Sequence, residues 1–417
     1  MAIRSSAPLK RPRSVLLAAF LLSVGVDAYW YRVVQTLCTA HCSQHSVLAR
    51  AIYWMSSLIL GLWLTGHGFS RGTFQSSFMR RFLVPLFFVK FFSVLTSVPV
   101  LLLDDAIHLI AVLAGRAPNA SFLTSLWAAK SAFVIAFGAA TVLIYGVVFG
   151  AYRYTVRRCD IVLPDLPSVF DGLKIAHISD LHCGSFLSKR SMLKGIDLLL
   201  EQKPDLVFFT GDLVNNKAEE AVPYLEALER IQAPLGVYSV LGNHDYGDYV
   251  NWSSETAKET NHLHMLRIHQ KLGWRLLLNE SHIITRGKAS MAIIGVENWS
   301  AKAFAQHGKL DQACLGTSDA SLKLLLSHDP THWDAQVRVS QPEIDVTFSG
   351  HTHGFQMGVE NRWFRWSPAQ YLYKRWGGLY RQKEQYLYVN RGYGCIGYPG
   401  RIGIPPEITI VTLRKSS

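Results

Sequence analysis

Val237–Gly247 reads VYSVLGNHDYG. Its first half is apolar and β-branched, the pattern of a buried strand. At Gly242 the run stops, and Asn243, His244 and Asp245 follow. One such strand end could be an ordinary turn, but this chain repeats the device. LKIAHIS leads into Asp180 and His182, and DLVFFT into Gly211 and Asp212. LKLLLS leads into His328 and Asp329, and DVTFS into Gly350, His351 and His353. Between the first three strands lie KRSMLKGIDLLLEQ and AEEAVPYLEALERI, both amphipathic at helical spacing. Alternation of strand and helix predicts an α/β domain with a largely parallel inner sheet. WRLLL, HIITR, MAIIGV, QYLYVN and ITIVTL add more strands than one small sheet holds. Two sheets packed face to face, with helices outside, accommodate them. Ligands bind beyond the carboxyl ends of strands in such sheets, so the five polar ends are expected to converge on one crevice.

The side chains gathered there are Asp180, His182, Asp212, Asn243, His328, His351 and His353, with His244 beside them. Carboxylate, amide and imidazole without thiolate suit divalent manganese, iron or zinc. Seven ligands exceed one coordination sphere, which points to two ions sharing a carboxylate. His177 alternates out of phase with Asp180 and reads as a core residue. His262, His264 and His269 read as positions on a helix.

The rest of the chain is of another kind. It has 417 residues, a net charge of +12 and 49% hydrophobic residues. The apolar excess lies before Tyr152, in the runs 14–31, 51–69, 82–103 and 131–151. Each approaches the roughly 20 residues that cross a hydrocarbon core. Residues 1–155 are therefore expected to form an all-α region of about four transmembrane helices, and 160–417 a catalytic domain. Lys90 is the one charge in the third run and is expected to face the bundle interior or snorkel. Basic residues precede the first run, separate the second from the third and follow the fourth. The positive-inside rule then puts the catalytic domain in the cytoplasm, on a plasma (inner) membrane. Cys159, Cys183, Cys314 and Cys395 show no pairing pattern, as expected in a reducing compartment, whereas Cys38 and Cys42 read as a small disulfide or two free thiols; no internal repeat or low-complexity segment is present.

In order, DLH, GD, GNHD, a lone histidine after a strand, and GHTH resemble the signature of the calcineurin-like metallophosphoesterases, over about Leu173–Leu413. The closing segment Val389–Leu413 resembles a membrane-attached bacterial branch of that family. The resemblance implies a four-layer αββα sandwich. It implies one metal on Asp180, His182 and His353, another on Asn243, His328 and His351, and Asp212 bridging them. The chain departs from the pattern at Phe355, where a second glycine is usual, and at Asn215, where Asp is common. Two ions about 3.5–4 Å apart neutralise a phosphate and turn a bridging water into the hydroxide that attacks in line. His244, outside the ligand set, is left as the catalytic residue, either donating a proton to the leaving oxygen or stabilising the transition state. Asp245 orients a neighbour or caps the turn.

The expected function is a membrane-anchored phosphohydrolase acting on a phosphomonoester or phosphodiester. The alternative is a non-catalytic metal-binding scaffold or sensor with the same fold. Between Gly354 and Arg401, eight Lys/Arg mix with aromatic residues, Trp363, Phe364, Trp366, Tyr371, Tyr373, Trp376 and Tyr380 among them. This composition suits a membrane surface as it suits nucleotides. The apolar helices favour a lipid-linked or headgroup phosphate, and no nucleic-acid partner is expected.

Overall fold

The computed structural model describes residues 13–41, 46–69, 77–116, 124–186 and 188–416. One compact unit is helical and ends at Val147; the other begins at Val148. Arg4, Lys10, Arg11 and Arg71, on which the expected orientation leans, lie outside the described residues.

The helical unit consists of α1 (Arg13–His41), α2 (Ser46–Phe69), α3 (Ser77–Leu113) and α4 (Leu126–Val148). Pro85 and Pro99 lie inside α3. Among the described residues, Phe82–Leu113 and Leu126–Tyr152 are long and apolar enough to cross a bilayer, with mean hydropathies of 2.2 and 2.4. Val47–Ile59 is a shorter apolar stretch. By these criteria, two of the four expected spans qualify. Lys90 turns inward: its Nζ is 2.9 Å from Asp27 Oδ2 of α1 and donates to the Ser57 hydroxyl of α2. A charge among apolar helices persists when paired in this way.

The second unit is built on two six-stranded mixed sheets. Its strands are β1 (Thr155–Leu163), β2 (Lys174–Ile178), β3 (Leu206–Phe209), β4 (Val237–Ser239), β5 (Arg275–Leu276), β6 (Glu280–Arg286) and β7 (Ala289–Gly295). They continue as β8 (Leu322–Leu326), β9 (Val346–Ser349), β10 (Val359–Glu360), β11 (Arg365–Trp366), β12 (Gly378–Gln382), β13 (Gln385–Val389) and β14 (Glu407–Lys415). The first sheet runs β1-β14-β2-β3-β4-β5 and the second β12-β13-β9-β8-β7-β6, while β10 and β11 form a separate hairpin. β2 through β5 are parallel, as are β7, β8, β9 and β13. These parallel blocks aim the ends of β2, β3 and β4, and those of β8 and β9, at shared crevices.

Period-two alternation makes each strand serve two cores. Ile175, Phe208 and Val411 of the first sheet share one core with Ile293, Leu324 and Phe348 of the second. Ala176, Val207 and Phe209 face the other way, against Met192 and Ile196 of the helix Lys189–Glu201 and Met265 of the helix Glu255–Lys271. On the second sheet, Ile294, Leu325 and Val389 pack against Trp333 and Val337. Strands covered on both faces read as continuous apolar runs, which is why the sequence displayed them.

Two expectations shift. AEEAVPYLEALERI is not one helix: Ala218–Tyr224 is a 3₁₀ turn and only Leu225–Leu228 is α-helical. Pro223 lacks the N–H that an α-helical interior needs. β1 begins at Thr155 and pairs in parallel with β14 along nine residues, so a domain start at Asp160 falls inside a strand.

Behind the sheets, Glu407 is fully buried and accepts from Arg391 Nη1 (2.6 Å), Tyr388 Oη (2.7 Å) and Thr409 Oγ1 (2.7 Å). Arg157 Nε lies 3.4 Å away. Burial pushes this carboxyl up, but Arg391 and Arg157 outweigh it and bring the pKa down to about 2. Its folded pKa is thus depressed from 4.5, so the stabilisation is present above about 4.5 and is lost as pH falls toward 2. Glu407→Ala leaves the buried Arg391 guanidinium with Glu360 as its remaining carboxylate, and removing one partner of a buried pair costs up to about 3–5 kcal/mol. Denaturation of the full chain in detergent is expected to show that loss at neutral pH, and a smaller difference from wild type in acid.

Candidate metal centre

The five strand ends meet. Asp180 and His182 follow β2, Asp212 follows β3, and Asn243 and His244 follow β4; His328 follows β8, and His351 and His353 follow β9. Asp180, His182, His328 and His353 are almost wholly inaccessible, and Asp212 and Asn243 are 2% exposed. The turns that carry them are strained. Asp180, His182, Asp212, His351 and His353 all have φ between 48° and 69°, a region that side chains other than glycine seldom occupy and that clusters at functional sites. Hydrogen bonds hold them there: Asp180 N–H to Gly211 O (2.9 Å), His182 N–H to Asp212 O (3.1 Å) and His351 N–H to the Asp180 carboxylate (3.0 Å). Gly211 (φ +94°) and Gly242 must both lack Cβ, because a methyl on Gly211 would lie 2.3 Å from Gly242 N.

His182 and His328 are each tied by Nδ1 to a main-chain carbonyl, whereas His353 Nδ1 is buried without a hydrogen-bond partner. His182 Nδ1–H donates to Val214 O (3.2 Å) and His328 Nδ1–H to Thr210 O (2.7 Å). The opposite nitrogens face partners of the same kind: His182 Nε2 is 3.1 Å from His353 Nε2, and His328 Nε2 is 3.1 Å from His351 Nδ1. Imidazole nitrogens and a carboxylate thus crowd together in each group, an arrangement that a cation would satisfy. Asp180, His182 and His353 form one group able to hold an ion, and Asp212, His328 and His351 a second. Asp212 Oδ2 stands between them, 3.6 Å from His182 Nε2 and 3.2 Å from His328 Nε2. Asn243 Oδ1 is buried without a hydrogen-bond partner, while its Nδ2 donates to Tyr249 Oη (2.7 Å). That leaves an uncharged donor oxygen unused beside the second group. The donor set fits two divalent ions.

Electrostatics agree with that chemistry. Burial pushes His182 down to about 3, keeping it neutral. At Asp180 and Asp212 burial is outweighed by facing imidazoles, which hold both carboxyls below the usual range. At His328 burial is overcome chiefly by Asp212, which carries the ring up to about 10.

His244 is only partly buried and donates through Nδ1–H to Asn215 O at 2.6 Å, leaving Nε2 free. Its ring lies 5.0 Å from that of His182. The contact uses the main chain of Asn215, so the unusual side chain at that position leaves it intact; the side chain bonds Ser185 instead. Asp245 settles between its two expected roles. Its carboxylate accepts from the N–H groups of Asp212 (2.8 Å), Leu213 (2.8 Å) and Gly242 (3.0 Å), and so fixes the turn that carries Asp212. His177 is a core residue bonded to Thr210 Oγ1 (2.9 Å), and His269 is buried against Ser239.

Sequence reading missed three groups. Tyr249 Oη positions Asn243, Tyr373 Oη lies 3.0 Å from His351 Nε2, and Asp329 Oδ2 lies 3.5 Å from the same nitrogen. Asp329 was visible in the fourth strand end; the tyrosines carried no local signal. Lys302 Nζ sits 3.6 Å over the Tyr373 ring. Beside Tyr373 opens a cleft of about 260 Å³, lined by Thr331, Asp334, Lys374 and Arg375 among others.

Comparison with known proteins places this architecture. Residues 173–355 match the calcineurin-like phosphoesterase family, and residues 12–151 match a family described as a probable calcineurin-like phosphoesterase transmembrane domain. The chain thus carries a calcineurin-like phosphoesterase domain behind a matching transmembrane domain, and is a membrane protein with metal-dependent phosphoesterase character. It is 27% identical over 433 residues to a transmembrane protein with metallophosphoesterase domain from Danio rerio, covering 98% of this chain and 91% of that one. It is 28% identical to the metallophosphoesterase YkuE of Bacillus subtilis (strain 168), covering 60% of this chain and 82% of that one. It is 27% identical to the UDP-2,3-diacylglucosamine pyrophosphatase LpxG of Chlamydia muridarum, covering 61% and 88%.

Outer partners that orient metal ligands typically contribute 10–100-fold to affinity. Tyr373→Phe in the full chain is expected to weaken binding of the second ion about tenfold with the melting temperature unchanged. Asn243→Ala is expected to lower retained manganese or zinc from two ions toward one. Elemental analysis after dialysis against graded chelator reads both.

Proposed function

We propose that the chain is a membrane-anchored dimetal phosphohydrolase, with Asp180, His182 and His353 holding one ion, Asn243, His328 and His351 the other, and Asp212 shared. The observation that carries this reading is Asp212 Oδ2, buried within 3.6 Å of one imidazole group and 3.2 Å of the other. Divalent ions so held would supply charge neutralisation for a phosphate and would lower the pKa of a water. The protein's own part is positional. Bonds from Nδ1 to Val214 O and Thr210 O turn the Nε2 atoms of His182 and His328 toward the centre. Asn243 adds a ligand without adding charge, which leaves the site favourable to an anion.

His244 is the proton donor in this reading. With Nδ1–H committed to Asn215 O, a second proton on Nε2 makes the ring an imidazolium that can protonate the departing oxygen. The reading extends to a four-layer αββα sandwich, four spans and a cytoplasmic catalytic domain. A phosphate ester carried by a membrane lipid or lipid-linked carrier is the proposed substrate; the relative named for a diacylglucosamine pyrophosphatase supports it. The cleft beside Tyr373, with Lys374 and Arg375 at its wall, offers room for the group that bears the phosphate.

Proton donation by a positioned side chain is worth about 10²–10⁴-fold. His244→Ala in the metal-loaded full chain is expected to lose about that much turnover on an alkyl phosphate ester. It should lose far less on a p-nitrophenyl ester, whose leaving group needs no proton. Equal losses on both esters would assign His244 to binding, and wild-type chain loaded with two ions that turns over neither ester would remove the hydrolase reading.

A further inference from the structure

The chain following the last proposed ligand displays rings that the domain itself does not cover. β10 and β11 form a hairpin whose tip is fixed by Asn361, its side-chain oxygen accepting from the N–H groups of Trp363 (2.9 Å) and Phe364 (2.9 Å). That turn holds Trp363 85% exposed and Phe364 55% exposed. The Arg362 guanidinium lies 5.0 Å from the Trp363 ring. The next turn, Pro368–Tyr371, exposes Tyr371 and Leu372, and Trp366 Nε1 donates to Tyr371 Oη (3.4 Å), joining the two turns. Phe355, two residues past His353, is also exposed, at φ +56°. Rings presented together by rigid turns mark an interaction surface.

The fold indicates what covers it. The last apolar stretch runs to Tyr152, and Gly150 near its end packs on the main chain of Arg401 so closely that a Cβ would lie 2.0 Å from Arg401 O. The next residue, Ile402, donates its N–H to Gln356 O (2.8 Å) and accepts from Gly358 N–H (2.9 Å), at the base of the hairpin. A second tie is Arg157, five residues past Tyr152, whose Nη2 is 2.6 Å from Glu360 Oε2. The hairpin base thus lies two short steps from the end of the span. Its tip is about four residues further on, roughly 13 Å at 3.3 Å per residue. The polar layer on each side of a hydrocarbon core is about 5–8 Å deep, which such a tip can reach. Tryptophan and tyrosine are the residues that sit at headgroup level, and exposed Arg362 and Lys374 complement anionic lipid.

We propose that the hairpin Val359–Trp366, with the turn after it, docks in the anionic headgroup layer of the bilayer that the same chain spans. Docking rests on reading Leu126–Tyr152 as a span. Its consequence, that the metal site opens beside Phe355 onto lipid-borne phosphate, rests on the hydrolase reading. The test uses the full chain labelled with 5-fluorotryptophan in nanodiscs of phosphatidylcholine, with or without phosphatidylglycerol. Trp363→Phe identifies the Trp363 fluorine resonance by its disappearance. In discs containing phosphatidylglycerol, the resonance is expected to be broadened away by a nitroxide placed at lipid headgroup depth and spared by a soluble gadolinium chelate, with weaker broadening in phosphatidylcholine alone. A resonance broadened by the chelate and spared by the nitroxide overturns docking, and one spared by both overturns it in favour of a protein partner. Turnover of bis(p-nitrophenyl) phosphate in the same discs reads the site separately. Turnover with a water-exposed Trp363 removes docking and leaves the hydrolase; a lipid-exposed Trp363 without turnover removes the hydrolase and leaves docking.

Discussion

Asp212 carries a carboxylate to a place that water does not reach, between two sets of imidazole nitrogens, and the surrounding backbone is shaped to keep it there. A charge buried without partners is prohibitively costly. Asp245 spends its carboxylate on the amides of the Asp212 turn, and the second Asp212 oxygen accepts from His244 N–H at 2.9 Å. Gly211 and Gly242 let the two loops touch at a separation that no side chain allows. Five of the seven candidate ligands accept left-handed backbone for the same end. Strain at this density persists only where the surrounding structure over-determines it, and here the two sheets do so.

A second buried charge system ties the site to the rest of the chain. Arg391 bridges Glu407 (2.6 Å) and Glu360 (2.7 Å), and Arg157 reaches both acids. One residue past Arg391, a Cβ on Gly392 would lie 3.1 Å from both Asp180 Cβ and His353 Nδ1. The strand that leaves the helical region, the exposed hairpin and the wall of the metal centre therefore share one network. In the helical unit Lys90 and Asp27 follow the same rule on a smaller scale, each tolerable because the other is there.

Much of this was legible in the sequence because the signals are local. Strands buried on both faces appear as apolar runs, and each run here ends in residues whose chemistry differs sharply from it. His177 and Asp180 separated correctly by alternation alone, since a period of two assigns them to different surroundings. The helix expected over Ala218–Ile231 failed where Pro223 removed a donor, and β1 was hidden because it follows an apolar stretch without a break. Of the four apolar runs, only those in α3 and α4 meet the spanning criteria among the described residues.

The sequence alone determined the two-part organisation, the strand ends and the residue types set at them, because periodicity and turn chemistry act over a few positions. Tertiary structure decided which atom of each residue faces the centre. Asn243 offers its oxygen because Tyr249 takes its nitrogen, and His244 offers Nε2 because the carbonyl of Asn215 takes the other side. Tyr373 meets His351 from 22 residues away, and Gly150 meets Arg401 from the opposite end of the domain. Such contacts depend on how two sheets close over one another, and no local pattern records that.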